Sequence, residues 1–236
     1  MSVFFTRRGE VPNFDKLSSD YAVGESVFLN VNGVSKEFLV VQQGNPDATM
    51  YDSSCDGTWL LMKDVYEYRE WDSDYNVYAN SDIHAYLNGD FLGLFDTKVQ
   101  SAIKTVKIPH VDGNGTTYNI RTGSSGLSTK IFLLSGYEVG WTTSNHSYFP
   151  KDGTCLLYFK DLITTDAKRI AYLNDTKSAW WTRSPYLGTG DRAWRVYTNG
   201  GHDYIVVSNS QGVRPTIILP SNAVFDSRKN TFKGVN

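Results

Sequence analysis

Two rigid motifs near the C-terminus constrain what this chain can fold into more than any other feature. The first is Trp180-Trp181-Thr182-Arg183-Ser184-Pro185. The second is Gly212-Val213-Arg214-Pro215, which runs into the apolar stretch Thr216-Ile217-Ile218-Leu219. Adjacent residues of a strand face opposite ways. The Trp pair therefore reads either as one ring inside and one outside or as two packed rings, and the high average burial of Trp favours the second. Arg183 and Arg214 read as buried forks that pin carbonyls or a carboxylate, with contact to a ligand as the rival reading. Trp180, Trp181, Arg183, Pro185, Gly212, Arg214 and Pro215 thus form a structural frame.

Between the two motifs lies a Gly-rich insert, residues 186–211, and scaffolded segments of this kind carry function more often than the elements that fix them. Its candidate ligand contacts are Tyr186, Asp191, Arg192, Arg195, Tyr197, Asn199, His202, Asp203 and Tyr204. This is the mixture of rigid aromatics and adaptable polar groups that recognition surfaces use. Alternation over residues 193–198 puts Trp194 and Val196 on one strand face and Arg195 and Tyr197 on the other, so Trp194 is a core candidate. An ordinary solvated hairpin is the bland alternative.

Composition narrows the classes. In 236 residues, 14% are aromatic, with 15 Tyr against 12 Phe, and 20% are charged, a balance that argues against disorder. A net charge of −2 without any basic block removes the electrostatic footprint of nucleic-acid binding. No apolar run approaches membrane-spanning length, and the first eight residues carry no signal-peptide h-region. The expected product is soluble and made in a host cytoplasm. There Cys55 and Cys155 read as reduced thiols. Four His without a Cys-x-x-Cys give no zinc spacing. No EF-hand loop and no EPN or QPD tripeptide appears, so no metal or cofactor is assigned, although calcium is left open. Gly-x-Ser-x-Gly is absent, and Gly123-Ser124-Ser125-Gly126 lacks the Lys-Ser/Thr of a phosphate loop. Cys55 and Cys155 do not form the closely placed pair of formylglycine-generating enzymes. A glycosidase pair among 25 acidic residues stays open, but the preferred reading is non-catalytic.

Along the chain, residues 1–20 read as an N-terminal arm, 21–225 as one domain and 226–236 as a tail. Val27, Leu29 and Val31 alternate with polar or aromatic neighbours up to Asn32-Gly33, and Phe38-Leu39-Val40-Val41 returns. That is a type I′ hairpin signal. Thr58–Met62 reads as a buried strand. Residues 80–88 predict a helix capped by Asn80 or Ser81, with Ile83, Tyr86, Leu87 and Phe91 inward. A second helix follows, capped by Asp96, with Val99, Ala102, Ile103 and Val106 at helical spacing and its end before Pro109. Residues 110–130 read as a long Gly/Ser/Thr-rich surface loop, and 131–140 as buried. Residues 161–174 read as a short helix plus turn with Ile163, Ala167, Ile170 and Leu173 inward. A second hairpin turns at Asn199-Gly200-Gly201.

The frame resembles the C-terminal signature WWLRSP…GVRPAL of the DUF6273 family of bacterial and phage domains. Residues 80–95 resemble that family's pattern W-x-NS-x-IR-x-YLN-x-x-F…F, with His84 where Arg is usual. Strands outnumber helices and the helices cluster in one region, an α+β pattern with β-hairpins, a few short helices and long Gly/Ser-rich loops. The resemblance implies that this fold is C-type-lectin-like. It also implies ligand presentation in the C-terminal region, which some phage and bacterial relatives diversify through retroelements. Together with the missing signal peptide, it leads to the expectation of a phage virion protein. Its role would be tail-fibre or tail-tip receptor binding to a bacterial surface glycan or protein. The alternatives are a capsid-decoration or fibre-assembly module that contacts other virion subunits, and a bacterial surface glycan-binding module. Homo-oligomerisation is left open, since no heptad run supplies a trimerisation device.

Overall fold

The structure, a computed structural model, describes residues 14–160 and 165–236. Most of the expected arm (residues 1–13) and Ile163 lie outside the described residues. In chain order the strands begin with β1 (Asp15–Leu17), β2 (Ser26–Val31), β3 (Val34–Gln43), β4 (Thr58–Met62) and β5 (Tyr68–Arg69). Then come two short helices, α1 (Asp82–Tyr86) and α2 (Thr97–Ala102), and the strands β6 (Val106–Ile108), β7 (His110–Gly113), β8 (Tyr118–Arg121), β9 (Leu127–Thr129) and β10 (Ile131–Phe132). Helix α3 (Thr165–Arg169) precedes β11 (Ala171–Leu173), β12 (Thr176–Ser178) and the frame strand β13 (Trp180–Pro185). The insert supplies β14 (Arg192–Val196) and β15 (His202–Val206). The chain ends with β16 (Gln211–Gly212), β17 (Thr216–Leu219), β18 (Ala223–Asp226) and β19 (Thr231–Val235).

Eight strands form the larger sheet, in the order β1-β18-β19-β2-β3-β4-β17-β10, and five form a second, β15-β14-β13-β16-β5. The larger sheet is covered on both faces, which explains its near-continuous apolar strands. In β4, Leu60 and Met62 enter one core and Trp59 and Leu61 the other; β3 divides Phe38 and Val40 from Leu39 and Val41 in the same way. The first core is closed by the helical region (Ile83, Leu87, Phe91, Phe95 and Val99), the second by buried residues between Phe132 and Phe159. The β2–β3 turn is the one expected, with Asn32 at φ 53° and Gly33 at φ 73°, and the pairing runs from Val31↔Val34 to Ser26↔Leu39.

Several expectations need correction. The fold is predominantly β, with 38% strand and 16% helix, not α+β. The helical periodicity of residues 80–106 is real but breaks into short pieces. Ser81 caps α1 by accepting from the His84 N–H, and one wide turn (Leu87–Phe91) follows. After Ile103 the backbone is extended, so Val106 belongs to β6. Residues 110–130 are not a structureless loop: β7 pairs with β8, and β9 pairs with β6. Ala167 is exposed. The domain also runs wider than 21–225. Strand β1 pairs with β18, and β19 lies between β18 and β2, inside the sheet rather than in a tail. Among the described residues no helix is long and apolar enough to cross a membrane.

Candidate functional site

The frame is buried. Trp180 and Trp181 are both fully enclosed, and as neighbours on β13 they enter opposite cores. Trp180 pairs with Gly212 of β16, where a Cβ would lie 2.6 Å from the Ala179 carbonyl, so only glycine lets the two backbones approach. Arg214 donates to the Met62 and Lys63 carbonyls and lies 4.9 Å from the Trp180 ring; Met62 N–H donates to the Pro215 carbonyl. Burial pulls the Arg214 guanidinium down to about 10, and no carboxylate among the described residues bonds to it.

Arg183 sits in a buried polar cluster. Its Nη1 and Nη2 grip Glu138 at 2.5 and 2.6 Å, and it also donates to the carbonyls of Pro109, Leu133 and Asp152. Burial works against its charge, but Glu138 more than offsets that and holds the guanidinium above its usual range. Glu138 accepts in addition from the Tyr51 hydroxyl and the Ser135 N–H. Asp152 accepts from the Ser184 hydroxyl on one oxygen, while the other is buried without a partner. Burial raises its carboxyl to about 7. The cluster is wholly enclosed and serves to tie the segment 133–154 to β13.

The insert is a hairpin, as expected. Its turn brings Gly200 so close to helix α3 that a Cβ would lie 2.0 Å from the Asp166 carbonyl. The register Trp194↔Tyr204, with Val196↔His202 and Arg192↔Val206, puts these even-numbered residues on one face and Arg195 with Asp203 on the other.

The even face is a ledge of aromatic rings. Trp194 is fully buried and stacks on Phe149 with centroids 3.8 Å apart, forming the floor. Above it Tyr186 stacks on Tyr204 at 4.2 Å, and Tyr148 lies 4.9 Å from Tyr186. His146 fills the space between, 5.0 Å from Trp194 and 6.4 Å from His202. Tyr148 and His202 are exposed, and Tyr186, Tyr204 and His146 half-buried. The Arg192 guanidinium, 5.8 Å from the Tyr204 ring, borders the ledge and makes only a loose 4.0 Å pair with Asp191. Burial, helped by the bond to Tyr204, raises the Tyr186 hydroxyl. Burial, then His146, lowers His202, which favours a neutral ring.

The nine predicted contacts therefore separate. Tyr186, Arg192, His202 and Tyr204 share the ledge, with Asp191 at its end. Arg195 is committed on the opposite face, bonded to Asp203 at 2.6 and 3.0 Å and to Gln211 at 2.7 Å. Tyr197 is exposed beside Arg195, and Asn199 serves the turn by accepting from the Gly201 N–H. Sequence reasoning missed His146 and Tyr148, which arrive from 140 to 150 rather than from the insert. The density of rings in Trp141…His146-Ser147-Tyr148-Phe149 was the available signal. It also missed Asn76, whose buried amide donates to the Thr189 and Arg192 carbonyls and so clamps the loop carrying Tyr186. Cavities of about 560 and 880 Å³ lie elsewhere, beside Glu67–Glu70 and between α2 and β19. Among the described residues no group of His, Cys, Asp and Glu could hold a metal ion.

Fold and face together define a predominantly β domain with a partly exposed aromatic ledge on a buried floor. The family model for a domain of unknown function, DUF6273, matches residues 56–221, and the chain belongs to that family. No curated protein matches it, and no solved structure does. The C-type-lectin-like expectation falls with the α+β one.

Proposed function

We propose that the chain is a non-catalytic recognition module that binds a bacterial surface glycan or protein through the aromatic ledge, in a phage tail fibre or tail tip. The ledge is the observation that carries this reading. Three tyrosines and two histidines present ring faces and polar edges on a fully packed floor, so little side-chain freedom is lost on binding. Sugar rings stack on such faces, and Arg192 supplies a fork for acidic groups. An exposed apolar patch on the first hairpin, around Phe28 and Phe38, would favour the alternative of a capsid-decoration or fibre-assembly module; Phe38 is fully buried and Phe28 half-buried.

The test is binding of the purified protein to a panel of bacterial cells and their isolated surface polysaccharides, comparing wild type with Tyr148→Ala/Tyr186→Ala. We expect affinity to fall about 10-fold or more, as loss of about 1.4 kcal/mol would give, while far-UV circular dichroism is retained. Wild type that binds no cell or polysaccharide, or a double variant that binds equally well, would sink the reading.

A further inference from the structure

The two large sheets have four edge strands among the described residues, and three are blunted in familiar ways. Strand β1 has three residues, with Asp15 and Lys16 tied to Lys233 and Glu25. Strand β5 has two, between Glu67 and Glu70. Strand β10 has two, both buried. Strand β15 differs: its five residues, His202-Asp203-Tyr204-Ile205-Val206, include one carboxylate, and Arg195 already neutralises it.

The bonding pattern shows which groups this edge offers. Tyr197 N–H donates to the Gly201 carbonyl and Val207 N–H to the Asp191 carbonyl, so the odd residues of the β15 side bond to β14. The N–H and C=O groups of His202, Tyr204 and Val206 therefore point away from the sheet. Among the described residues, the bonds to these six groups are two on the Val206 carbonyl, from the Asn209 N–H at 3.0 Å and its side-chain amide at 3.4 Å.

We infer that β15 pairs antiparallel with β15 of a second copy, centred on Tyr204, joining two five-stranded sheets edge to edge. The strand is its own complement in this register. Tyr204 meets Tyr204 as a hydrogen-bonded pair, His202 meets Val206, and Asp203 meets Ile205, so no charge faces its like. Such a two-fold interface is isologous. It lies in the plane of the sheet and leaves both ledges open on the same side, so the dimer presents two adjacent aromatic surfaces and gains avidity for a repeating ligand. The dimer itself does not depend on what the ledge binds.

Sedimentation velocity over a dilution series, from about 200 down to about 1 µM, tests this across the affinity range of modest edge pairing. Wild type is expected to be a dimer at the upper end. Val206→Pro removes an outward N–H and no β14 bond, and Val206→Lys places a charge on the edge; both are expected to sediment as monomers with an unchanged circular dichroism spectrum. Should the proline variant misfold, the lysine variant decides. Amide exchange decides independently: the Tyr204 N–H should exchange more slowly as concentration rises. A wild type that stays monomeric throughout, a dimer that survives substitution at Val206, or Tyr204 exchange independent of concentration would overturn the proposal.

Discussion

Asp152 and His110 both feel the Arg183 charge and respond to pH in opposite directions. Burial raises Asp152 from 3.8 to about 7, so between those values the folded chain keeps a proton that the unfolded chain releases. Its contribution to stability is complete below about pH 4 and is lost as pH rises towards 7. Burial, then the Arg183 charge, lowers His110 from 6.5 to about 4. In this interval the unfolded chain holds the extra proton, so this contribution is complete above 6.5 and is lost as pH falls towards 4. Between pH 4 and 6.5 the two slopes oppose. Asp152→Asn removes one of them. We predict that the stability of this variant relative to wild type climbs from pH 4 to 7 by up to about 4 kcal/mol, the equivalent of the Asp152 shift. Urea titrations at several pH values measure this difference, and a constant offset would show that Asp152 does not titrate in that range.

At the level of elements, legibility followed locality. The β2–β3 turn and strand β4 were readable because Asn32-Gly33 and the run Thr58–Met62 encode their conformation within a few residues. The 110–130 segment was not, since Gly and Ser mask strands whose pairing partners (β6 for β9) lie about twenty residues away. The ledge was half readable. Tyr186 and Tyr204 could be picked from the insert, but His146 and Tyr148 join them through packing of a distant loop, for which no spacing rule exists. Alternation separates Arg195 from Trp194 in the sequence, but only the register with β15 shows that Tyr204 shares the Trp194 face and that Asp203 lies with Arg195. The loop between β13 and β14 is clamped by one buried side-chain amide, alongside backbone bonds such as that from the Asn76 N–H to the Gly190 carbonyl. Asn76 donates to the Thr189 and Arg192 carbonyls at 2.9 and 2.7 Å and accepts from the Gly115 N–H at 3.0 Å. Asn76→Ala takes this partner from the Thr189 carbonyl and the Gly115 N–H, while the Arg192 carbonyl keeps the Tyr186 N–H, and we predict a loss of about 1–3 kcal/mol. Fast amide exchange should appear in 186–192, with weaker ligand binding, while the β2–β3 hairpin stays protected. Uniform protection across both regions would show that the clamp is redundant.

Across the whole molecule, the family match (56–221) ends before the strands that complete the larger sheet. Strand β19 is the joint. It is antiparallel to β18 on one side and parallel to β2 on the other, through Thr231↔Phe28, so β1 and β18 reach the rest of the sheet through it. Side chains reinforce the joint: the Tyr21 hydroxyl donates to Asn230, and Phe225 packs edge-to-face on both Tyr21 and Phe232. Removing residues 227–236 would leave β2 and β18 with unpaired edges and open the first core at Phe225, a new template for association. We predict that the truncated chain loses stability comparable with the whole ~5–15 kcal/mol that holds a domain together, and is recovered as aggregate. Phe232→Ala, which keeps the strand and removes one ring, should instead stay soluble with a melting temperature lowered by a few degrees. A truncated protein that is soluble, monomeric and cooperative on melting would show that the chain up to Asp226 closes its core without the final strand.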